Sequence, residues 1–254
     1  MVLMSRIRFF VLLFMAILVA PWRLPGEVPG ESAEVPGASW VVEQSIAYHD
    51  PLGHWRRSRF RLDLLETRPD ASDRQTRVQF DNSEDSFEIL TNREEAVIEG
   101  RMASGDCVLT LNGSVDFTDE ERERYRLTCE RLAWLRDYYS FLWGLPMKLL
   151  DAGTRIDPEA TDDRYQEKRV WTVRVTYDES VGRDTWYFYF DQQNYALVGY
   201  RFFHDEAEGD GEYIVLEGEI ETVGLKMPAS RAWYTNTKDE YLGTDTLEVL
   251  EVTP

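Results

Sequence analysis

The sequence predicts a mainly β protein of the α+β class, in which a curved antiparallel sheet wraps around a central amphipathic helix. Three observations support this fold. Short segments of alternating polar and apolar residues recur along most of the chain, as expected for strands with one buried face. Turn-forming residues separate these segments. Only one long stretch has helical periodicity, and the regular strand–helix–strand alternation of a parallel sheet is absent.

The amino-terminal region differs in composition from the rest of the chain. Arg6 and Arg8 precede an unbroken apolar run, so residues 1–20 have the pattern of a secretory signal peptide. The alternative is a short uncleaved anchor, although a bilayer-spanning helix takes about 20 apolar residues. Prolines and glycines predict a flexible linker over 21–38. We therefore expect an exported protein, periplasmic or extracellular in a bacterial envelope, with a single β-rich domain over 39–254.

The acidic composition excludes two classes of partner. The chain has 47 Asp and Glu residues against 28 Lys and Arg, a formal net charge of -19. Such a polyanion repels phosphate backbones and anionic membrane surfaces, so we expect no nucleic-acid partner and membrane contact only through an uncleaved amino terminus. The chain is nevertheless predicted to fold, because 43% of its residues are hydrophobic and supply the surface that offsets chain entropy.

The domain is predicted to begin with a short amphipathic helix over 39–49. Asp50 and Pro51 end this helix, since proline disfavours helical backbone. Five strand-like segments then follow, over 59–64, 77–80, 86–89, 96–98 and 107–111.

A single strong helix is predicted over 118–143. Thr118 and Glu121 form a capping-box pattern at its start, and Gly144 and Pro146 end it. Apolar residues recur between these limits at spacings of three and four, which predicts one stripe that packs into the core.

Cys107 and Cys129 are the two cysteines of the chain. In an exported protein an even pair predicts a disulfide. Two buried free thiols are the alternative, because spacing alone does not establish a bond. Neither a C-x-x-C motif nor a nearby histidine supports a metal or redox role.

Strand patterns return after a polar stretch over 151–167. Residues 171–177 alternate, whereas 185–190 are apolar or aromatic on both faces. A strand of the second kind needs cover on both sides, or an apolar cavity on one of them. Later strands are predicted over 196–203, 211–222 and 234–252.

Large apolar side chains are the main functional candidates. They predict a cavity under the curved sheet that binds a lipid, an acyl chain or another hydrophobic small molecule. A filled core built from the same residues is the alternative. The candidate lining residues are Trp143, Leu145, Met147, Trp171, Trp186, Phe188, Phe190, Tyr200 and Phe202. The main hypothesis is therefore a non-catalytic exported protein that binds a hydrophobic ligand and uses no cofactor.

Two further hypotheses come from different classes of protein. Sequence motifs of serine hydrolases, nucleotide-binding loops and zinc helices are absent. A metal-dependent or other hydrolase would have to use His49, Asp50 and His204, since the chain has only three histidines, His49, His54 and His204. The third hypothesis is a structural envelope module that binds a protein partner through an exposed apolar patch.

Several longer segments resemble an uncharacterised bacterial family of exported proteins with a domain of unknown function. They include SIAYHDP at 45–51, YYSFLWGLPMK at 138–148 and GRDTWYFYF at 182–190. The resemblance covers roughly 45–247 and implies a half-barrel of the LolA/LolB/LppX type, hence a carrier or binder of lipid-like groups with no catalytic residues to transfer. Members often carry a lipoprotein signal, but this chain has no cysteine near its apolar amino-terminal run.

Overall fold

The computed structural model describes residues 35–253. The predicted signal peptide, and the predicted linker up to residue 34, lie outside the described residues. Within 35–253 the helices are α1 (Ala38–His49), α2 (Asp119–Tyr125), α3 (Cys129–Trp143) and a short 3₁₀ helix (Met147–Leu150). The strands are β1 (Arg59–Arg68), β2 (Ala71–Asp81), β3 (Ser86–Arg93), β4 (Ala96–Ala103), β5 (Asp106–Leu111), β6 (Thr154–Ile156), β7 (Thr161–Tyr165), β8 (Lys168–Tyr177), β9 (Thr185–Asp191), β10 (Leu197–Phe203), β11 (Glu212–Glu217), β12 (Ile220–Thr222), β13 (Leu225–Met227), β14 (Ser230–Thr235) and β15 (Tyr241–Thr253).

Thirteen of the strands form one antiparallel sheet in the order β5-β4-β3-β2-β1-β15-β14-β11-β10-β9-β8-β6, with β7 beside β6 on the same edge of β8. The end strands β5 and β6 do not pair with each other, so the sheet stays open. The carboxyl-terminal strand β15 joins the two halves by pairing with β1 and β14. This confirms the predicted fold class, an open antiparallel sheet around one long helix.

Tight hairpins hold the register of this sheet. The two-residue turns Ser104-Gly105 and Gln166-Glu167 have positive φ at both positions. Backbone of this hand matches the twist of the flanking strands, which is why it is common in two-residue hairpins. The turn Val223-Gly224 closes the separate hairpin of β12 and β13 in the same way.

The sequence did not predict β6 and β7, which lie within the polar stretch over 151–167. The first four residues of β7 are exposed, and only Tyr165 at its end is buried. A short edge strand with solvent on both faces carries no alternating pattern, so periodicity does not reveal it.

The prediction of a single helix over 118–143 was wrong. The capping box of Thr118 and Glu121 is present, but α2 ends at Tyr125 and Arg126 adopts a left-handed conformation with φ 54°. Leu127 then turns inward and is 1% exposed, packed with a small apolar cluster on β4 and β5. The hydroxyl of Thr128 accepts the N–H of Arg131 and starts α3. A second cap and a buried leucine therefore break the apolar stripe into two helices.

Helices α1 and α3 pack into the concave face of the sheet. Inward side chains of nearly every long strand form one core with these helices. At Gly100 of β4 a Cβ atom would lie 2.5 Å from Leu132 Cδ1, so the glycine permits the close approach of α3. The position of α3 on the concave face therefore determines which inward-facing side chains are covered.

The strand β9 is covered on both faces, as its doubly apolar sequence requires. Phe188 and Phe190 face the concave core, whereas Tyr189 belongs to a cluster on the convex face. The ring of Tyr165 stacks on Tyr189 with centroids 4.0 Å apart, and its hydroxyl donates to the carbonyl of Ile214 at 2.9 Å. The hairpin of β7 and β8 thereby covers the outer side of the most aromatic strand.

Cys107 and Cys129 form a disulfide, so the free-thiol alternative is wrong. The bond joins β5 to the first residue of α3, with Cα atoms 6.0 Å apart and a sequence separation of 22.

We expect the double variant Cys107→Ala/Cys129→Ala to lose about 3 kcal/mol of unfolding free energy, because the open chain regains loop entropy when it unfolds. Guanidinium titration measures this loss. Reduced wild-type protein is the control and should match the variant; a loss below about 1 kcal/mol would contradict the expectation.

Candidate functional site

An open groove runs between α3 and the concave face of the sheet. We call it the aromatic groove. Its two adjoining parts have volumes of about 410 and 550 Å³ and share Trp134, Tyr138, Phe141, Asp184 and Trp186 in their walls. Volumes in this range are typical of small-molecule pockets, about 300–1,000 Å³.

The helical wall of the aromatic groove is a second stripe on α3. Trp134, Tyr138 and Phe141 follow one another at spacings of four and three, which places them on one side of the helix. The rings of Trp134 and Tyr138 stack with centroids 5.0 Å apart, yet Trp134 remains 49% exposed. A large aromatic side chain is thus left facing solvent at the mouth of the groove.

The sheet wall is built by inward-facing aromatic residues of β8–β10 and β14. Trp186 and Phe202, on neighbouring strands, stack with centroids 4.7 Å apart. Phe141 of α3 meets Trp186 edge-on at 5.1 Å, so this contact forms the base where the two walls meet. Trp233 is held in the same wall because its indole Nε1 donates to buried Asp245 at 2.9 Å.

Charged residues surround the aromatic groove. The His204 ring lies 2.9 Å from Asp184, and this hydrogen bond raises the pKa of His204. Burial raises the pKa of Glu212 on the same rim. Arg68 is engaged by Asp245 at 2.8 Å, and Lys148 pairs with Asp151. The rim therefore binds water well while the interior of the groove is apolar.

The structure divides the nine predicted lining residues into two sets. Trp186 and Phe202 line the aromatic groove and are partly exposed. The other seven pack into the core with exposures of 8% or less; they are Trp143, Leu145, Met147, Trp171, Phe188, Phe190 and Tyr200. The two alternatives for these apolar residues, a filled core and a ligand cavity, thus apply to different residues: seven fill the core, and two line the groove.

Trp134, Tyr138 and Phe141 were not among the predicted lining residues. Their spacing carried a signal, because they lie beside the core stripe of Leu132, Tyr139 and Leu142. Two adjacent apolar stripes make α3 hydrophobic over more of its circumference than packing against one sheet requires.

The residues of the hydrolase hypothesis do not share a site. His49 is 2% exposed; its Nδ1 contacts the Lys226 carbonyl at 2.9 Å and its Nε2 accepts the N–H of Leu197 at 3.0 Å. Burial lowers the pKa of His49, which keeps the ring neutral. The carboxylate of Asp50 accepts two backbone N–H groups in the following turn. His204 lies at the rim of the aromatic groove, a cavity that neither His49 nor Asp50 lines.

Two structural absences apply to residues 35–253. No group of three or more His, Cys, Asp or Glu residues there is arranged to hold a metal ion. No helix in this range is long and apolar enough to cross a membrane.

The open antiparallel sheet around α1 and α3 is a LolA-like fold. A LolA superfamily protein from Nitrosomonas europaea superposes with a TM-score of 0.52 at 11% identity, over 86% of this chain and 94% of that one. A structure described as an outer membrane lipoprotein-sorting protein domain from Vibrio parahaemolyticus gives 0.49 at 10% identity, over 85% and 92%. The fold assignment rests on the first.

The chain itself belongs to DUF6503, a family of unknown function whose sequence profile matches residues 29–249. No curated protein sequence matches the chain.

Proposed function

We propose that this protein binds a hydrophobic ligand, a lipid or an acyl chain, in the aromatic groove and performs no catalysis. The observation that carries the proposal is the pair of facing aromatic walls, from α3 and from the sheet, with open volume between them. Exposed aromatic surface of this kind favours an apolar ligand, since its contact with water is unfavourable.

The groove geometry supports an elongated, flexible ligand. The two parts adjoin along Phe141 and Trp186, so an alkyl chain can pass from one to the other. Each methylene transferred from water to such walls contributes about 0.8 kcal/mol. The charged rim of Asp184, His204 and Glu212 suits a polar group that stays in solvent.

Export to the cell envelope is part of this proposal. The apolar run within residues 1–20 and the disulfide between Cys107 and Cys129 both favour an oxidising compartment outside the cytoplasm. A binder of lipids or acyl chains fits an envelope in which such groups must cross an aqueous space.

The proposal predicts that Trp186→Ala weakens binding of dodecyl maltoside, an uncharged single-chain amphiphile, by about tenfold or more. The substitution removes one of the aromatic rings that both parts of the groove share, and anchoring aromatic side chains dominate such sites. Isothermal titration below the critical micelle concentration measures the affinity. Native mass spectrometry of the wild-type protein after mild purification tests for a retained ligand.

The matched control is Trp40→Ala on α1. Trp40 is 44% exposed and packs edge-on against Tyr195, outside the aromatic groove. It should leave the affinity for dodecyl maltoside unchanged. Wild-type protein that carries no ligand and binds neither dodecyl maltoside nor a fluorescent fatty acid would refute the proposal.

A further inference from the structure

A second cavity, of about 220 Å³, lies between α3 and the concave side of β3–β5. We call it the arginine cavity, because Arg74, Arg93, Arg126 and Arg131 all line it. Its floor is apolar and consists of Ile89, Ile98, Leu109, Leu132 and Leu135. No aspartate or glutamate lines it, although the chain has 47 acidic residues against 28 basic ones. With four guanidinium groups and no carboxylate in its lining, the cavity is positively charged, although the chain as a whole is acidic.

Three of the four arginines have no anionic partner within residues 35–253. Arg74 is the exception, since it pairs with buried Glu66 at 2.7 Å beneath the cavity. Arg93 and Arg126 are exposed and make no side-chain hydrogen bond in this range. Arg131 lies over the ring of Trp134 at 3.9 Å, a contact that fixes its position but leaves its charge unpaired.

The positive charges of the four arginines in this cavity repel one another. The pKa of Arg131 is lowered, first by burial and then by the positive charges of Arg126, Arg93 and Arg74. Like charges close together disfavour one another's charged forms, and a bound anion relieves that repulsion. Several other arginines of the described residues pair with carboxylates, for example Arg59 with Asp81 and Arg77 with Asp63.

We propose that the arginine cavity binds the phosphate or carboxylate head of an anionic amphiphile. Arg93, Arg126 and Arg131 supply planar forks of N–H donors, which match the oxygen atoms of these groups. The apolar floor beneath them takes the first methylenes of the attached chain.

The apolar floor favours an amphiphile over a free inorganic ion. A bare phosphate leaves the partly exposed Leu109 and Leu135 in contact with water, whereas an alkyl chain covers them. A cavity of 220 Å³ is smaller than a pocket that encloses a drug-sized ligand, about 300–1,000 Å³. The remaining chain therefore extends out of it. Trp134 and Tyr138 line both this cavity and the aromatic groove, so the exit lies beside that groove.

The test compares Arg93→Gln/Arg126→Gln with the control Arg56→Gln/Arg164→Gln. Both double variants remove two exposed positive charges, and neither Arg56 nor Arg164 lines the arginine cavity. The probe is dodecyl phosphate, titrated calorimetrically below its critical micelle concentration at low and at moderate salt. Inorganic phosphate and dodecyl maltoside are the comparison probes. Circular dichroism and thermal unfolding confirm that each variant is folded.

We expect the cavity variant to bind dodecyl phosphate at least about tenfold more weakly than the control variant, with a smaller dependence on salt. Inorganic phosphate should bind the wild-type protein much more weakly than dodecyl phosphate. Equal affinities of the two double variants for dodecyl phosphate would overturn the inference. Equally tight binding of inorganic phosphate would overturn it too, because the alkyl chain would then contribute nothing.

The inference and the proposed function fail separately. Trp186→Ala removes a wall of the aromatic groove but no residue of the arginine cavity. Dodecyl phosphate should therefore still bind in the Trp186→Ala background, and adding Arg93→Gln/Arg126→Gln should abolish that binding. Loss of dodecyl maltoside binding tests the groove alone, and the charged probe in the Trp186→Ala background tests the arginine cavity alone.

Discussion

Replacing Arg74 by Met is expected to lower the free energy of unfolding by about 3–5 kcal/mol at neutral pH. The side chain of Glu66 is 2% exposed, and both of its oxygen atoms accept hydrogen bonds of 2.7 Å from Arg74. Tyr139 of α3 donates to the same carboxylate at 3.0 Å, so the site also fastens the helix to the sheet. Without Arg74, the negative charge of Glu66 would remain buried without its paired cation.

The pH dependence of this variant has a definite sign. In the wild-type protein burial raises the pKa of Glu66, but the hydrogen bonds and charge of Arg74 outweigh burial and the net pKa is lowered. The stabilisation that ionised Glu66 provides is therefore present above the ordinary carboxyl pKa of about 4.3 and is lost as the pH falls. In Arg74→Met burial dominates and the folded pKa rises. As the pH falls, the free energy of unfolding of the variant therefore rises relative to that of the wild type. The difference in unfolding free energy between the two proteins narrows towards pH 4.

Arg77→Met is the matched control for this prediction. Arg77 lies on the same strand, β2, and is about as exposed as Arg74, but its partner Asp63 is 19% exposed, whereas Glu66 is 2% exposed. An exposed pair contributes up to about 1 kcal/mol. Urea titrations of both variants at pH 7 and pH 4.5 provide the comparison. Equal losses in the two variants, or a difference that widens on acidification, would contradict the assigned role of Arg74.

The sheet and its helices could be predicted because their signals are local. Alternation over 59–64 and 171–177 identified strands β1 and β8, and the helix over 39–49 matches α1 to within one residue. The break between α2 and α3 was missed because it depends on the burial of Leu127 against β4 and β5, which is a tertiary contact. Periodicity describes one segment at a time and does not report what covers it.

The candidate site was predicted only in part for a related reason. Trp186, Phe188 and Phe190 alternate along β9 and face the same side of the sheet. Which of them is covered depends on where α3 crosses the concave face, and no residue of β9 encodes that position. The arginine cavity left no signal at all, because its four arginines come from β2, β3 and the α2–α3 region, where acidic residues in the sequence balance them.

A matched pair of phenylalanine substitutions separates the core from the groove. Phe188→Ala is expected to cost about 3–5 kcal/mol of unfolding free energy, because the side chain is 0% exposed and its loss leaves a cavity between β8 and β10. Phe202→Ala, on the neighbouring strand, should cost about 1–2 kcal/mol, since its ring is partly exposed and its neighbours already face solvent.

Binding should show the opposite order. Phe202 stacks on Trp186 in the groove wall, so Phe202→Ala should weaken dodecyl maltoside binding by about tenfold, whereas Phe188→Ala should change it less once the protein is folded. Denaturant titration and calorimetry on the same two variants measure both quantities. If the more destabilising substitution is also the one that most weakens binding, the ligand occupies the interior of the half-barrel instead of the aromatic groove. If Phe188→Ala causes the larger loss of stability and Phe202→Ala the larger loss of affinity, the ligand binds in the aromatic groove, where α3 leaves the sheet uncovered.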